Sequence, residues 1–237
     1  QAQGREEISV PLTQSFDYNL EVMAKKAKQA KLVFLANPNN PTGRYIKQQD
    51  LERFLNQIPD HVVVVLDEAY TEFVLRPDYP NGLAYVTQRP RTVILRTFSK
   101  AYGLAGFRIA YAVCDPEIAE LLHRVRDPFN VNSLAQAAAL GALDDQDHVQ
   151  RSVNSNWKEM LLAEEKLTKL GIPFTQSAGN FILCHFANAD LVYEQLINSG
   201  VVVRQVANYG LPKALRITIG TPEQNEALFT GLKGLGN

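Results

Sequence analysis

Three short segments hold residues whose types and spacing could do chemistry. Asp67 ends the apolar run VVVVL and is followed by Glu68, Ala69 and Tyr70. In open α/β sheets ligands bind beyond the carboxyl ends of strands, so a carboxylate there is a candidate site residue. A helix cap or a loop charge is the ordinary alternative. The string NPNNPTG, residues 37–43, directly follows the apolar run LVFLA. Two X-Pro steps predict an extended backbone closed by a Thr-Gly turn, and an Asn side chain held rigidly there is a well-placed hydrogen-bond donor. The string TFSKAYGLAGFRIAYAV, residues 97–113, puts Lys100 after an apolar run and before Gly103 and Gly106. A lysine in such a place is expected to be desolvated, hence a nucleophilic neutral amine, whereas an exposed lysine is the commoner fate. Thr97, Ser99, the glycines and Arg108 make up the inventory of a phosphate site.

The elements that must position these residues alternate. KLVFLA (31–36), HVVVVL (61–66), TVILRT (92–97) and FRIAYAV (107–113) read as strands. Their continuous apolar character predicts strands covered on both faces. Stretches 18–30 and 47–57 have helical composition, and the alternation predicts an α/β fold with a mostly parallel sheet. The second half reads differently. Asp115-Pro116 predicts an N-cap with Pro at the first helical position, and Ile118, Leu121, Leu122 and Val125 form one apolar helix face. Ser133 with Gln136 predicts a capping box before a helix over 134–143. A long helix is expected from about 148 to 170, then strands FILCHF (181–186), VVVR (201–204) and LRITIG (215–220). A last helix opens with Thr221-Pro222 and Gln224. The division expected is a large unit over 1–146 and a smaller C-terminal α+β unit over 147–237.

The 237 residues carry 24 Lys+Arg against 25 Asp+Glu, a net charge of -1, with no basic block. That argues against a nucleic-acid partner. The apolar runs are far too short to cross a bilayer, and two cysteines make no disulfide framework, so a reducing, cytoplasmic setting is expected. The opening QAQGREEISV has no initiator Met and no signal-peptide pattern, and reads as the start of a fragment or a processed product. His61, His123, His148 and His185 show no metal spacing, so no metal is expected. Cys114 and Cys184 read as buried inert thiols, and Lys25, Lys26 and Lys28 as a solvated helix face.

Taken together and in this order, NPNNPTG, LDEAY and TFSKAYGLAGFR resemble the fold-type I pyridoxal-phosphate aminotransferases of classes I and II. The strings VLDEAYTEF, VRDPFNVNSLAQAAALGAL and LRITIGT are more narrowly similar to the histidinol-phosphate aminotransferases. The similarity runs over essentially the whole chain but lacks the family's N-terminal segment, which carries a substrate-contacting arm, a phosphate-binding turn and a ring-stacking aromatic residue.

The resemblance implies a role for each matching residue. Lys100 would form the Schiff base with pyridoxal phosphate and move the proton between Cα and C4′. Asp67 would pair with the pyridine nitrogen, and Tyr70 and Asn40 with the ring's 3-oxygen. Thr97, Ser99 and Arg108 would cradle the cofactor phosphate. Arg216 would clamp the substrate carboxylate, Arg204 would help bind a substrate phosphate, and Asn180 would face the site. The implied reaction is transamination of histidinol phosphate with 2-oxoglutarate in histidine biosynthesis, by a homodimer. An aromatic amino-acid aminotransferase, a threonine-phosphate decarboxylase and an inactive fragment with doubtful cofactor occupancy are the alternatives.

Overall fold

A computed structural model describes Gly4 and residues 6–234; residues 1–3, 5 and 235–237, including part of the opening stretch read above, lie outside the described residues. The chain divides into two compact units. The first holds the residues through Pro38, then Tyr45–Thr71 and Leu75–Ala142; the second holds Asn39–Arg44, Glu72–Val74 and the chain from Leu143 onward. The main change of unit therefore falls at Ala142–Leu143, and two short inserted segments accompany it.

In the first unit, α1 (Leu20–Ala27) precedes β1 (Leu32–Ala36), α2 (Gln48–Leu55) links it to β2 (Val63–Asp67), and α3 (Gly82–Gln88) leads to β3 (Thr92–Thr97) and β4 (Ala110–Val113). The sheet order is β1-β2-β3-β4. β1, β2 and β3 are parallel, which requires the helical crossovers between them; β4 turns back antiparallel on β3. Leu35, Leu51, Phe54, Val64, Leu66 and Ile94 make the dry centre of this unit, each at most 2% exposed. Burial in β1 alternates, however, with Leu32 52% and Phe34 65% exposed. The expectation of two covered faces is thus corrected: an apolar run reports that a strand can be buried on both sides, not that both sides are covered.

Two helices complete this region. In α4 (Pro116–Val125), Asp115 caps the Glu117 N–H at 2.9 Å as expected. Its apolar stripe is outward-facing, with Leu121 59% and Val125 79% exposed. α5 is Ser133–Asp144, and its cap is Asn132 rather than Ser133: Asn132 Oδ1 accepts the Ala135 N–H at 2.8 Å and its carbonyl accepts the Gln136 N–H at 3.2 Å. The helix begins one residue earlier than the capping-box reading placed it, because Asn132 supplies both the side-chain and the first ladder acceptor.

The second unit holds α6 (Gln146–Lys169), β5 (Phe174–Thr175), β6 (Phe181–His185), α7 (Ala189–Asn198), β7 (Arg204–Gln205), β8 (Ala214–Thr218) and α8 (Pro222–Lys233). The sheet order is β5-β6-β8-β7, and every pair is antiparallel. Met160, Ile182, Cys184, Leu196, Leu215 and Phe229 form its core. The expected capping box at Thr221 and Gln224 is present in full. VVVR is not a strand over its length: only Arg204 and Gln205 pair with β8, and Val202 is 80% exposed, with no sheet partner to cover it. Among the described residues no helix is long and apolar enough to cross a membrane, and no group of three or more His, Cys, Asp or Glu could hold a metal ion.

Candidate active site

In the first unit the parallel strands end side by side. Asp67 is the last residue of β2, exposed, and lies in register with Ala36 and Leu95. Its Oδ1 accepts the Ala69 N–H at 3.0 Å, a local bond that fixes the carboxylate at the strand end. Tyr70, three residues on, is buried. The Lys100 ammonium stands 5.3 Å from the centroid of the Tyr70 ring, within cation–π range. These two sequence candidates are therefore brought together in space, although they lie 30 positions apart in the chain.

Lys100 reaches that place because of its neighbours. Phe98 and Ala101 are both buried, Phe98 against Tyr102 and Tyr111 with centroids 5.1 and 5.5 Å away. The turn is closed by Gly103 N–H donating to the Lys100 carbonyl at 3.0 Å and Leu104 N–H to the Phe98 carbonyl at 2.9 Å. Lys100 itself is exposed, which corrects the expectation of a desolvated amine: the anchoring is done by the flanking apolar residues, and the polar residue between them is left in water. Thr97 Oγ1 accepts the Ser99 N–H at 3.1 Å. Arg108 sits at φ 54, left-handed for a non-glycine residue, just after a 3-10 turn at Ala105–Phe107. Such conformations are costly and concentrate where a side chain must be aimed. The Arg108 guanidinium is exposed and spends Nη1 on the Ala105 carbonyl at 2.9 Å.

The loop NPNNPTG is tighter than an extended segment. Both of its prolyl bonds are cis, Asn39 N–H donates to the Arg44 carbonyl at 2.7 Å, and Gly43 N–H donates back to the Asn39 carbonyl at 2.7 Å. From Asn39 onward the loop belongs to the second unit. Gly43 is required there twice over: its φ is +74, and a Cβ would come within 2.2 Å of Ser177 Oγ.

That packing sets up the second group of candidates. Arg216, in β8, donates from Nη1 to Asn40 Oδ1 at 2.7 Å and lies over the Phe181 ring at 5.2 Å. Its Nε is buried with no partner among the described residues. Arg204 is in register with Arg216 across the β7–β8 pair, and both line a cavity of about 660 Å³ with Tyr193, Gln205, Asn208 and Thr218. Two guanidinium groups directly opposite each other repel unless an anion separates them. Asn180 is half-buried, one residue before Phe181, and its carbonyl accepts the Ile219 N–H at 2.9 Å.

Other residues had no clear sequence signal. The Tyr18 hydroxyl accepts the Ala36 N–H at 3.0 Å and donates to the Ala36 carbonyl at 3.1 Å, extending β1 by a side chain. Burial pushes this phenol up to about 12, the Ala36 hydrogen bond opposes that, and the charge of Asp67 adds to it. Tyr18 is thus a neighbour of Asp67 that lies far from it in sequence. Glu68, buried just past the end of β2, and Arg96, half-buried in β3, form an ion pair. Burial pushes the Glu68 carboxyl up, and Arg96 draws it back. Only their position next to Asp67 and Thr97 in the motifs could have flagged them.

The profile of the family described as aminotransferase class I and II matches residues 1–232 of this chain. A histidinol-phosphate aminotransferase of Mannheimia succiniciproducens is 47% identical over 220 residues, covering 92% of this chain and 60% of the relative. One from Nitrosococcus oceani is 49% identical over 212 residues, covering 89% and 57%. The solved histidinol-phosphate aminotransferase of Sinorhizobium meliloti in complex with pyridoxal-5'-phosphate matches with a TM-score of 0.87 at 28% identity, over 97% of this chain and 65% of that one. The chain spans 60% and 57% of the length of these two curated relatives.

Proposed function

We propose that this chain, which belongs to the class I and II aminotransferase family, carries the catalytic residues of a pyridoxal-phosphate-dependent transaminase that acts on histidinol phosphate with 2-oxoglutarate as acceptor. The observation that carries this reading is the Lys100 amine 5.3 Å from the Tyr70 ring, in a unit whose β2 ends in the exposed carboxylate of Asp67. The donor set fits pyridoxal phosphate. Lys100 offers an amine, Asp67 an acceptor for a protonated ring nitrogen, Tyr70 a hydroxyl, and Thr97, Ser99 and Arg108 hydroxyls and a guanidinium suited to a phosphate. When bound, the cofactor supplies an electron sink for the pair left at a substrate Cα.

The chain's own residues would do the rest. Lys100 would anchor the cofactor and afterwards take the proton from the substrate Cα and return it, one flexible amine serving as base and acid. Asp67 would hold the proton on the ring nitrogen. In the second unit, Arg216 would bind the anionic end of the substrate; its orphaned Nε and its register opposite Arg204 support an anion there. Asn40 Oδ1 is already taken by Arg216, so its amide nitrogen would be the group that donates onward. A dianionic phosphate answers two facing guanidiniums better than a single carboxylate does, which favours a phosphorylated amine as substrate. Assembly as a homodimer and a cytoplasmic location belong to this reading through the family likeness alone.

The test uses the protein in its full natural length, loaded with pyridoxal phosphate. Glutamate formation from histidinol phosphate and 2-oxoglutarate is expected, and borohydride treatment should fix the cofactor mass on the peptide carrying Lys100. A preference for unphosphorylated aromatic donors would reassign the substrate to the aromatic enzymes. Release of carbon dioxide from a phosphorylated amino acid would make the protein a decarboxylase.

A further inference from the structure

We infer that Glu68 and Arg96 are positioning residues for the cofactor site, an ion pair with a buried carboxylate that locks the ends of β2 and β3 and thereby sets Asp67, Tyr70 and Thr97. The inference rests on the pyridoxal-phosphate reading above, which gives those three residues a common task.

Four segments meet at Glu68. Its carboxylate, 1% exposed, accepts through Oε2 from Arg96 Nε at 3.1 Å and from Arg96 Nη2 at 2.9 Å. It also accepts the backbone N–H of Gly82 at the start of α3. The backbone there comes so close that a Cβ on Gly82 would lie 1.8 Å from Glu68 Oε1, so any side chain at this position would displace the carboxylate. The Glu68 N–H donates to the Leu95 carbonyl at 2.9 Å and continues the β2–β3 ladder one residue past Asp67. The Glu68 carbonyl accepts the Thr71 N–H at 3.1 Å and closes the turn that contains Tyr70.

Successive side chains on a strand point to opposite faces. Asp67 is exposed and Glu68 buried; on the neighbouring strand Arg96 precedes Thr97. The ion pair therefore grips the two strand ends from one face while Asp67 and Thr97 project from the other. Stability alone would not call for charge: an apolar pair of similar volume often holds a core as well or better. What a guanidinium adds is direction, because its planar fork accepts a carboxylate in few orientations. Direction matters here because Asp67 stands in water, and its own Oδ1 is held by a bond only two residues away.

The experiment compares wild type, Glu68→Gln and the double variant Glu68→Gln/Arg96→Met, all in the full natural length. The probe is pyridoxal phosphate, followed by quenching of protein fluorescence for affinity and by the pH midpoint of the bound cofactor's absorbance band. Wild type that fails to bind the probe would refute the functional reading and not this inference. With wild type binding, Glu68→Gln is expected to bind at least about tenfold more weakly, with the midpoint displaced because the ring-nitrogen partner has moved. The double variant removes the uncompensated buried charge. It should regain the unfolding midpoint of the cofactor-free protein and still bind at least about tenfold more weakly. Wild-type affinity in either folded variant, or an undisplaced midpoint in the double, would overturn the inference. Failure of both variants to fold would also overturn it, since the pair would then be a requirement of the core and not a positioning device.

Discussion

Lys100 is the residue on which the functional reading turns, and its surroundings make it a clean target. It is exposed and sits in a turn held by the buried side chains of Phe98 and Ala101. Truncating it gives up the cation–π contact with Tyr70 but leaves the buried Phe98 and Ala101 that anchor the turn, so Lys100→Ala should still fold. Its transamination should fall by roughly 10²–10⁴-fold or more, the typical worth of a positioned acid–base group, with the covalent anchor lost in addition. Stopped-flow turnover with circular dichroism as a folding control measures both; near wild-type turnover would take Lys100 out of the mechanism. Asp67, Tyr70, Lys100 and Arg108 could be picked out because the motifs that hold them are contiguous strings. Tyr18, Glu68 and Arg96 could not, because their meaning lies in partners: Tyr18 is tied to Ala36 across 18 positions and Glu68 to Arg96 across 28. The exposure of Lys100 was equally hidden, since an apolar flank reads the same whether it buries the lysine or anchors a turn beneath it.

At the scale of elements, what could be read depended on how much of an element is self-contained. β1, β2 and β3 announce themselves through apolar runs, and α4 and α8 through caps that lie next to them in sequence. α3 has only seven residues, GLAYVTQ, and its anchor is the distant Glu68, so no local pattern marks it. β7 shrinks to two residues because strand propensity in VVVR meets a sheet edge that pairs only Arg204 and Gln205. The short β5 escaped notice for a similar reason, yet it sets up a pH response. His185 in β6 shares a hydrogen bond of 2.9 Å with Thr175 Oγ1 in β5, and burial pushes the imidazole below its ordinary 6.5. Well above pH 6.5 the ring is neutral in folded and unfolded chains alike. As the pH falls through 6.5 the unfolded chain takes up the proton first, so stability is lost on acidification. Melting curves at about pH 7.5 and about pH 5.5 should show a drop that is smaller in His185→Asn, which has no proton to gain. An equal drop in both proteins would show that other groups set the response.

Over the whole chain, the charged groups that would hold a dianionic cofactor stand in water. Asp67, Lys100 and Arg108 are all exposed in the first unit. A unit charge pair at 4 Å contributes about 4 kcal/mol at the effective dielectric of a protein surface and about 1 kcal/mol in bulk water. Exposed pairs measured in proteins keep roughly 0–1 kcal/mol of that. Each 1.4 kcal/mol is about a tenfold change in affinity, so moving such contacts from a covered to an open setting costs several powers of ten in binding. The bond to Lys100 offsets part of this, but it draws on an amine that water also solvates. The 237-residue chain by itself is therefore expected to bind pyridoxal phosphate weakly and to show little transamination. A longer chain that covers the same residues should bind far more tightly with no change in any of them. Titrating the 237-residue chain with the cofactor and recording its absorbance decides the matter. A stable bound-cofactor band at low micromolar concentration would mean that the exposed residues suffice, and that desolvation by further chain is not what makes the site tight.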